Sequence, residues 1–194
     1  MKNLILCGVG GQGTVLASKI LAAAAMARGE NAHTAETIGM AQRGGSVVSH
    51  VRIGENACSP LIPKGTADVL IGFEPAEAVR NLPYLKEGGM VIVSSAAVKP
   101  VTASLSESSY SGEAMIEYMK GLGLDVTVVD GEDLIREMGS ARSLNVALLA
   151  AACAKGDMGM TVEELKEVVR TTMKPAFYSQ NLKAIEAGCR AAGK

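Results

Sequence analysis

Gly8-Val9-Gly10-Gly11-Gln12-Gly13 is the first stretch where residue type and spacing point to chemistry. It fits G-x-G-x-x-G, and it stands between an apolar run with strand character, Lys2 to Cys7, and a helix-favouring run from about Thr14 to Arg28. Glycine permits the tight turn, close approach of a ligand to the backbone and close helix–strand packing, while a helix start offers unpaired N–H groups and a partial positive charge. The chemistry invited is anion or cofactor binding at Gly8, Gly10, Gly11, Gln12 and Gly13. Glu36, 23 residues beyond Gly13, stands roughly where a dinucleotide fold places the carboxylate for a ribose hydroxyl. The bland alternative is a sharp turn with Glu36 solvated in a loop, and the local pattern leaves both readings open.

A second cluster, Glu36 to Ser46, sets Arg43 directly before Gly44 and Gly45. The planar fork of Arg43 suits a phosphate or carboxylate, and the alternative is an exposed arginine ahead of a hairpin turn. Ser46 to Ile53 alternates, with Val47, Val51 and Ile53 on one face and Ser46, His50 and Arg52 on the other, as in a half-buried strand. A lone His50 there is expected to be solvated or hydrogen-bonded, with no catalytic role.

Cys7, Cys58, Cys153 and Cys189 are 51, 95 and 36 positions apart, without the close spacing of zinc or iron–sulfur ligands, so clusters and metals are expected in a partner. Cys7 and Cys153 read as small buried hydrophobes. The chain has no G-x-S-x-G elbow, H-E-x-x-H or Walker lysine, which removes the usual self-contained hydrolase and kinase readings. Asp130-Gly131 follows Val129 and so does not open the Gly-Asp-Gly thiamine diphosphate motif. A binding loop is visible; a reaction centre is not.

The elements that must carry these residues alternate. Asn31 to Ala35, Asp68 to Gly72, Met90 to Ser94 and Leu124 to Val129 read as further strands, with helices from Pro75 and near Glu113 to Lys120 between them. Helices then follow near Asp133 to Glu137, Ala141 to Lys155, Thr161 to Thr171 and Ser179 to Ala191, the third opened by the capping box Thr161-Val162-Glu163-Glu164. Ser104 to Ser111 reads as a mobile loop. The expected fold is α/β, a Rossmann-like, mainly parallel sheet flanked by helices with a helical C-terminal region. One domain is expected over 1–194, with the sheet core in about 1–130 and the helical part in about 131–194.

Nineteen Lys and Arg against twenty Asp and Glu, with no long run of one sign, argue against nucleic acid. The longest apolar stretches fall short of the roughly 20 residues that cross a bilayer, and Met1 leads straight into a strand pattern. No membrane and a cytoplasmic location are expected.

The glycine run, together with Gly39-Met40-Ala41-Gln42-Arg43-Gly44-Gly45-Ser46-Val47-Val48-Ser49-His50-Val51-Arg52, resembles the gamma-type domain of 2-oxoacid:ferredoxin oxidoreductases. The segments Ser59 to Asp68 and Phe73 to Arg80 look most like the beta subunit of indolepyruvate ferredoxin oxidoreductases, and Asn145 and Asn181 fit the same pattern. Ser94-Ser95 departs from it, since an asparagine is expected there. The resemblance spans essentially the whole chain, and its Gln-Arg-Gly-Gly-Ser stretch is more specific than the glycine motif.

The resemblance implies the small subunit of a complex in which a larger subunit carries thiamine diphosphate and 4Fe-4S clusters. A 2-oxoacid is decarboxylated on the thiamine, two electrons pass to ferredoxin, and the acyl group goes to coenzyme A as cosubstrate. It implies that this chain helps complete the complex near its active site; the missing cluster and thiamine motifs lead to the expectation that it is inactive alone, and the glycine run with Arg43, Gly44 and Gly45 is expected to bind an anionic group or to dock against the catalytic partner. The competing functions are a stand-alone nicotinamide- or flavin-dependent oxidoreductase and a nucleotide-binding regulatory module.

Overall fold

β1, Lys2–Val9, is buried from Asn3 onward because it has a strand on each side, antiparallel β3 (Ser46–Ile53) and parallel β4 (Ala67–Gly72). A strand covered on both faces and both edges can be apolar throughout, which is why Leu4 to Cys7 shows no alternation. The computed structural model describes residues 1–38, 44–55, 59–99, 110–156 and 158–193. With β2 (Ala32–Ile38), β5 (Leu85–Ser94) and β6 (Asp125–Val129), the sheet order is β2-β3-β1-β4-β5-β6. β1, β4, β5 and β6 run parallel, and β3 runs against both β1 and β2.

The sheet is therefore mainly parallel, as expected, but β3 is wedged between β1 and β2. The physical reason is connection length: residues 39–45 suffice to return an antiparallel strand, whereas a parallel neighbour needs a crossover of a dozen residues or more. β2 runs on through Glu36 to Ile38, so Glu36 belongs to a strand and not to the loop read from sequence. β3 also departs from the half-buried reading, since His50 on its polar face is as buried as Val51 on the other. Its ring meets Tyr84 edge-on at 5.3 Å and its Nδ1 accepts from the Ile62 N–H at 3.2 Å, while burial lowers its pKa.

α1 (Thr14–Ala27), α5 (Leu144–Lys155), α6 (Val162–Thr172) and α7 (Tyr178–Ala191) cover one face, packing on Leu4, Leu6, Val51, Val69, Ile71 and Ile92. α2 (Pro75–Asn81) and α3 (Gly112–Gly121) cover the other through Ala78, Ile116 and Met119, against Ile5, Cys7, Leu70, Val91 and Val93. α4 (Gly131–Met138) packs against α5 and α7. α5 is buried from Leu144 to Ala154, the state of a helix that is apolar on every side. The capping box of α6 is formed, Thr161 Oγ1 accepting from the Glu164 N–H at 3.2 Å and Glu164 Oε2 accepting from the Thr161 N–H at 2.7 Å.

At the sheet edge where β1 begins, Arg52 donates to Asn3 Oδ1 and to the carbonyls of Ser59 and Leu61, and Asp68 accepts from the Asn3 N–H and Lys86. The Ser59 to Asp68 segment thus lies at the opposite end of β1 from the glycine run. Cys7 and Cys153 are buried, and burial pushes the Cys153 thiol up to about 12 and Cys7 well above its usual value. Cys58 and most of Ser104 to Ser111 lie outside the described residues; Ser111 itself caps α3. No helix among the described residues is long and apolar enough to cross a membrane.

α5 and α7 cross at Gly188, where an added Cβ would stand 2.1 Å from the Ala147 carbonyl oxygen. Gly188→Ala is expected to cost about 1–3 kcal/mol through overpacking, whereas Gly121→Ala, at the open end of α3, should be neutral or stabilise by up to about 1 kcal/mol. Urea unfolding midpoints of the two variants measure the difference, and equal midpoints would mean that the crossing yields without strain.

Candidate functional site

The carboxyl ends of β1, β4, β5 and β6 and the start of β3 share one edge of the sheet, and the glycine run sits on it. In open α/β sheets that edge carries the ligand crevice at the point where strand order reverses, here between β1 and β4. Gln12 occupies this point. Its Oε1 accepts from the Val9 N–H at 2.8 Å and its Nε2 donates to the Phe73 carbonyl at 3.0 Å, so the side chain ties the end of β1 to the end of β4. Gly8 has no room for a side chain, with Gln12 Oε1 2.6 Å and Phe73 Cβ 2.9 Å from where its Cβ would be.

The two glycine clusters lie side by side. The Gly10 N–H donates to the Gly45 carbonyl at 2.8 Å and the Gly44 N–H to the Gly10 carbonyl at 3.4 Å, which extends the β1–β3 ladder beyond Val9 and Ser46. Gln42 and Arg43 lie outside the described residues. Gly13 is left-handed, φ 84°, and its Cβ would meet Asn145 Nδ2 at 2.5 Å; that amide donates to the Gly13 carbonyl at 3.3 Å. Gly11 is exposed, with φ 104° and open space around it. α1 has no side-chain cap, so its first-turn N–H groups and Gly11 are what this corner can offer an anion.

Glu36 is one strand further from β1 than a dinucleotide fold would have it, roughly 5 Å outward, and it accepts from Ser18 of α1 at 3.0 Å. Asn181, also half of the sequence pattern, donates through Nδ2 to the Phe177 carbonyl at 2.8 Å at the start of α7.

Two buried acids behind the corner were not anticipated. Glu77 accepts from Ser46, directly after Gly45, and from Arg80, both at 2.6 Å. Glu74, 2% exposed, caps α2 by accepting from the Glu77 N–H at 2.9 Å, accepts from the Tyr110 hydroxyl, and meets the backbone N–H groups of Val98 and Ala76. The Glu-Pro-x-x at a helix start is a signal for the cap; nothing in the sequence announces Tyr110 as its partner. Among the described residues no serine, threonine or cysteine hydrogen-bonds a histidine, and no group of three or more His, Cys, Asp or Glu stands ready for a metal ion.

A family model described as pyruvate ferredoxin/flavodoxin oxidoreductase matches residues 3–191. The indolepyruvate oxidoreductase subunit IorB of Thermococcus kodakarensis is 35% identical over 98% of this chain and 95% of its own length. The solved keto/oxoacid ferredoxin oxidoreductase gamma subunit from Geobacter sulfurreducens covers 99% of this chain and 98% of its own, with a TM-score of 0.71 and 23% identity. The 2-oxoglutarate:ferredoxin oxidoreductase from Magnetococcus marinus, solved with 2-oxoglutarate, coenzyme A and succinyl-CoA bound, matches 99% of this chain but 31% of that chain, with a TM-score of 0.69 and 20% identity.

The Gln12 tie predicts that Gln12→Met, similar in length but unable to make either bond, destabilises by about 1–3 kcal/mol, seen as a lower urea midpoint. An unchanged midpoint would reduce Gln12 to a bystander. Burial raises the Glu74 carboxyl above its ordinary value of 4.5, against the backbone donors that pull it down. Folding then favours its protonated form, so its contribution to stability is complete below about pH 4.5 and is lost as pH rises through the raised value. The unfolding free energy of the native chain should therefore fall more steeply above pH 4.5 than that of Glu74→Gln. Parallel pH curves for the two would contradict this.

Proposed function

This chain belongs to the pyruvate ferredoxin/flavodoxin oxidoreductase family, and from that premise we propose that it is the small subunit of a 2-oxoacid:ferredoxin oxidoreductase of indolepyruvate type. The observation that carries the reading is the 35% identity to an IorB subunit along nearly the full length of both chains. The site supports it, because the uncapped start of α1 beside the exposed Gly11 is a corner that another group can meet. The larger subunit's thiamine diphosphate and 4Fe-4S clusters supply decarboxylation and electron transfer to ferredoxin, with coenzyme A as acyl acceptor. The present chain, acting as one unit over residues 1–194, completes the complex through Gly8, Gly10, Gly11, Gln12, Gly13, Arg43, Gly44 and Gly45. Gly10 and Gln12 serve by shape, their polar groups being held within the chain, while Gly11 and Leu16 of the first turn of α1 are exposed. Buried thiols at Cys7 and Cys153 suit a reducing cytoplasm.

A stand-alone dinucleotide enzyme fits less well: β3 displaces Glu36, Ser18 occupies its carboxylate, and Gln12 closes the crevice.

Anaerobic purification of the chain alone and with its larger subunit tests the reading. The complex is expected to reduce ferredoxin with indolepyruvate in the presence of coenzyme A, and the isolated chain to be inactive with every 2-oxoacid. Turnover by the isolated chain would overturn the subunit assignment. In the complex, Arg43→Ala should weaken either coenzyme A binding or subunit affinity by roughly ten- to a hundredfold, with Arg43→Lys recovering part of it. A complex unchanged in both leaves Arg43 out of the site.

A further inference from the structure

Beside the glycine corner, the start of α1, the turn into α5 and the turn between α6 and α7 enclose a groove of about 490 Å³. Leu16, Arg142, Asn145, Lys174, Phe177 and Asn181 line it. Asn145 and Asn181, 36 positions apart, thus converge on one feature, and Asn145 ties its wall to Gly13. Three properties of the groove bear on its use. Leu16 and Phe177, on its lips, are 43% and 46% exposed, a cost that covering them would remove. Arg142 and Lys174 have no carboxylate partner among the described residues, and unlike Arg52, whose guanidinium is spent on Asn3 and the Ser59 and Leu61 carbonyls, they also donate no side-chain hydrogen bond there. Asn181 spends its Nδ2 on Phe177, and no partner is found for its Oδ1 among the described residues.

We propose that this groove is the socket for an acidic, apolar-tipped segment of the larger subunit, a step that rests on the small-subunit reading above. The occupant's carboxylate pairs with Arg142 and Lys174, and its apolar side chain lies between Leu16 and Phe177. A protein segment fits better than a small ligand. Ligand sites bury about 70–90% or more of a ligand, whereas lips this exposed need a broad partner to shut out water. The socket is too small to be a whole interface, which takes roughly 800 Å² per partner, and is the anchoring part of a wider contact. The recurrence of the fold as 31% of a longer chain in the Magnetococcus marinus structure is in keeping with a domain that sits against further protein.

The test is anaerobic association of the purified larger subunit with this chain at low and high salt. Arg142→Glu/Lys174→Glu is expected to weaken association roughly a hundredfold at low salt, Arg142→Lys/Lys174→Arg to stay within about threefold, and Phe177→Ala to lose roughly tenfold at either salt. Urea midpoints identify any variant that fails to fold, and Arg142→Gln, expected to lose several-fold, stands in for the double reversal if it does. Wild-type affinity in the double reversal and in Phe177→Ala overturns the socket. Saturable phenylpyruvate binding in the groove, with subunit affinity unchanged by charge reversal, also overturns it in favour of a small-molecule site. No association of the unaltered chain with the larger subunit would sink the small-subunit reading instead.

Discussion

The double tie made by Gln12 joins the two strand ends on which the candidate site is built. One side-chain amide satisfies a main-chain donor at the end of β1 and a main-chain acceptor just past β4, across the point where an open sheet would otherwise part. With that gap closed, the Gly8 backbone can lie against Phe73, the turn can throw Gly11 outward, and α1 can start at Gly13 against Asn145. The same tie changes what the glycine run is for. In a dinucleotide fold the glycines clear space for a pyrophosphate. Here part of that clearance is filled by the chain's own side chain, and the remaining open surface is displaced toward Gly11 and the first turn of α1.

Much of this fold is legible from residue types alone, because parallel strands buried on both faces show as unbroken apolar runs and helix starts carry caps. Lys2 to Cys7, Asp68 to Gly72 and the Thr161 capping box all read correctly for these reasons. What stays hidden is what depends on neighbours distant in sequence. Periodicity cannot say that β3 inserts beside β1, since the pairing of Ser46 to Ile53 with Lys2 to Val9 leaves no local trace. His50 looks like a solvent-facing polar residue until Ile62 and Tyr84 close over it. Gln12 fits a motif position that any residue may fill, so its two bonds to main-chain groups are invisible until β4 is in place. Asn145 and Asn181 stand out as a family pattern, while their meeting in one groove is a product of the α5–α7 packing.

The buried acids show how side chains stiffen the corner. Glu77 links the first residue of β3 to α2, and Glu74 gathers donors from α2, from Val98 and from Tyr110. A carboxyl with several donors tolerates burial that an isolated one would not.

Strand order has a consequence for the nascent chain. β1, β2 and β3 can pair as soon as residue 53 has left the ribosome, leaving β1 with one unpaired edge that only β4, ending at Gly72, will cover. At synthesis rates of roughly 5–20 residues per second, that apolar edge is bare for about one to four seconds. An open edge of this kind is a template for pairing with another chain. Crowded polysomes, where many copies pass through the same interval side by side, are therefore the setting in which this protein is most exposed to misassembly, and slowing translation before β4 would lengthen the risk.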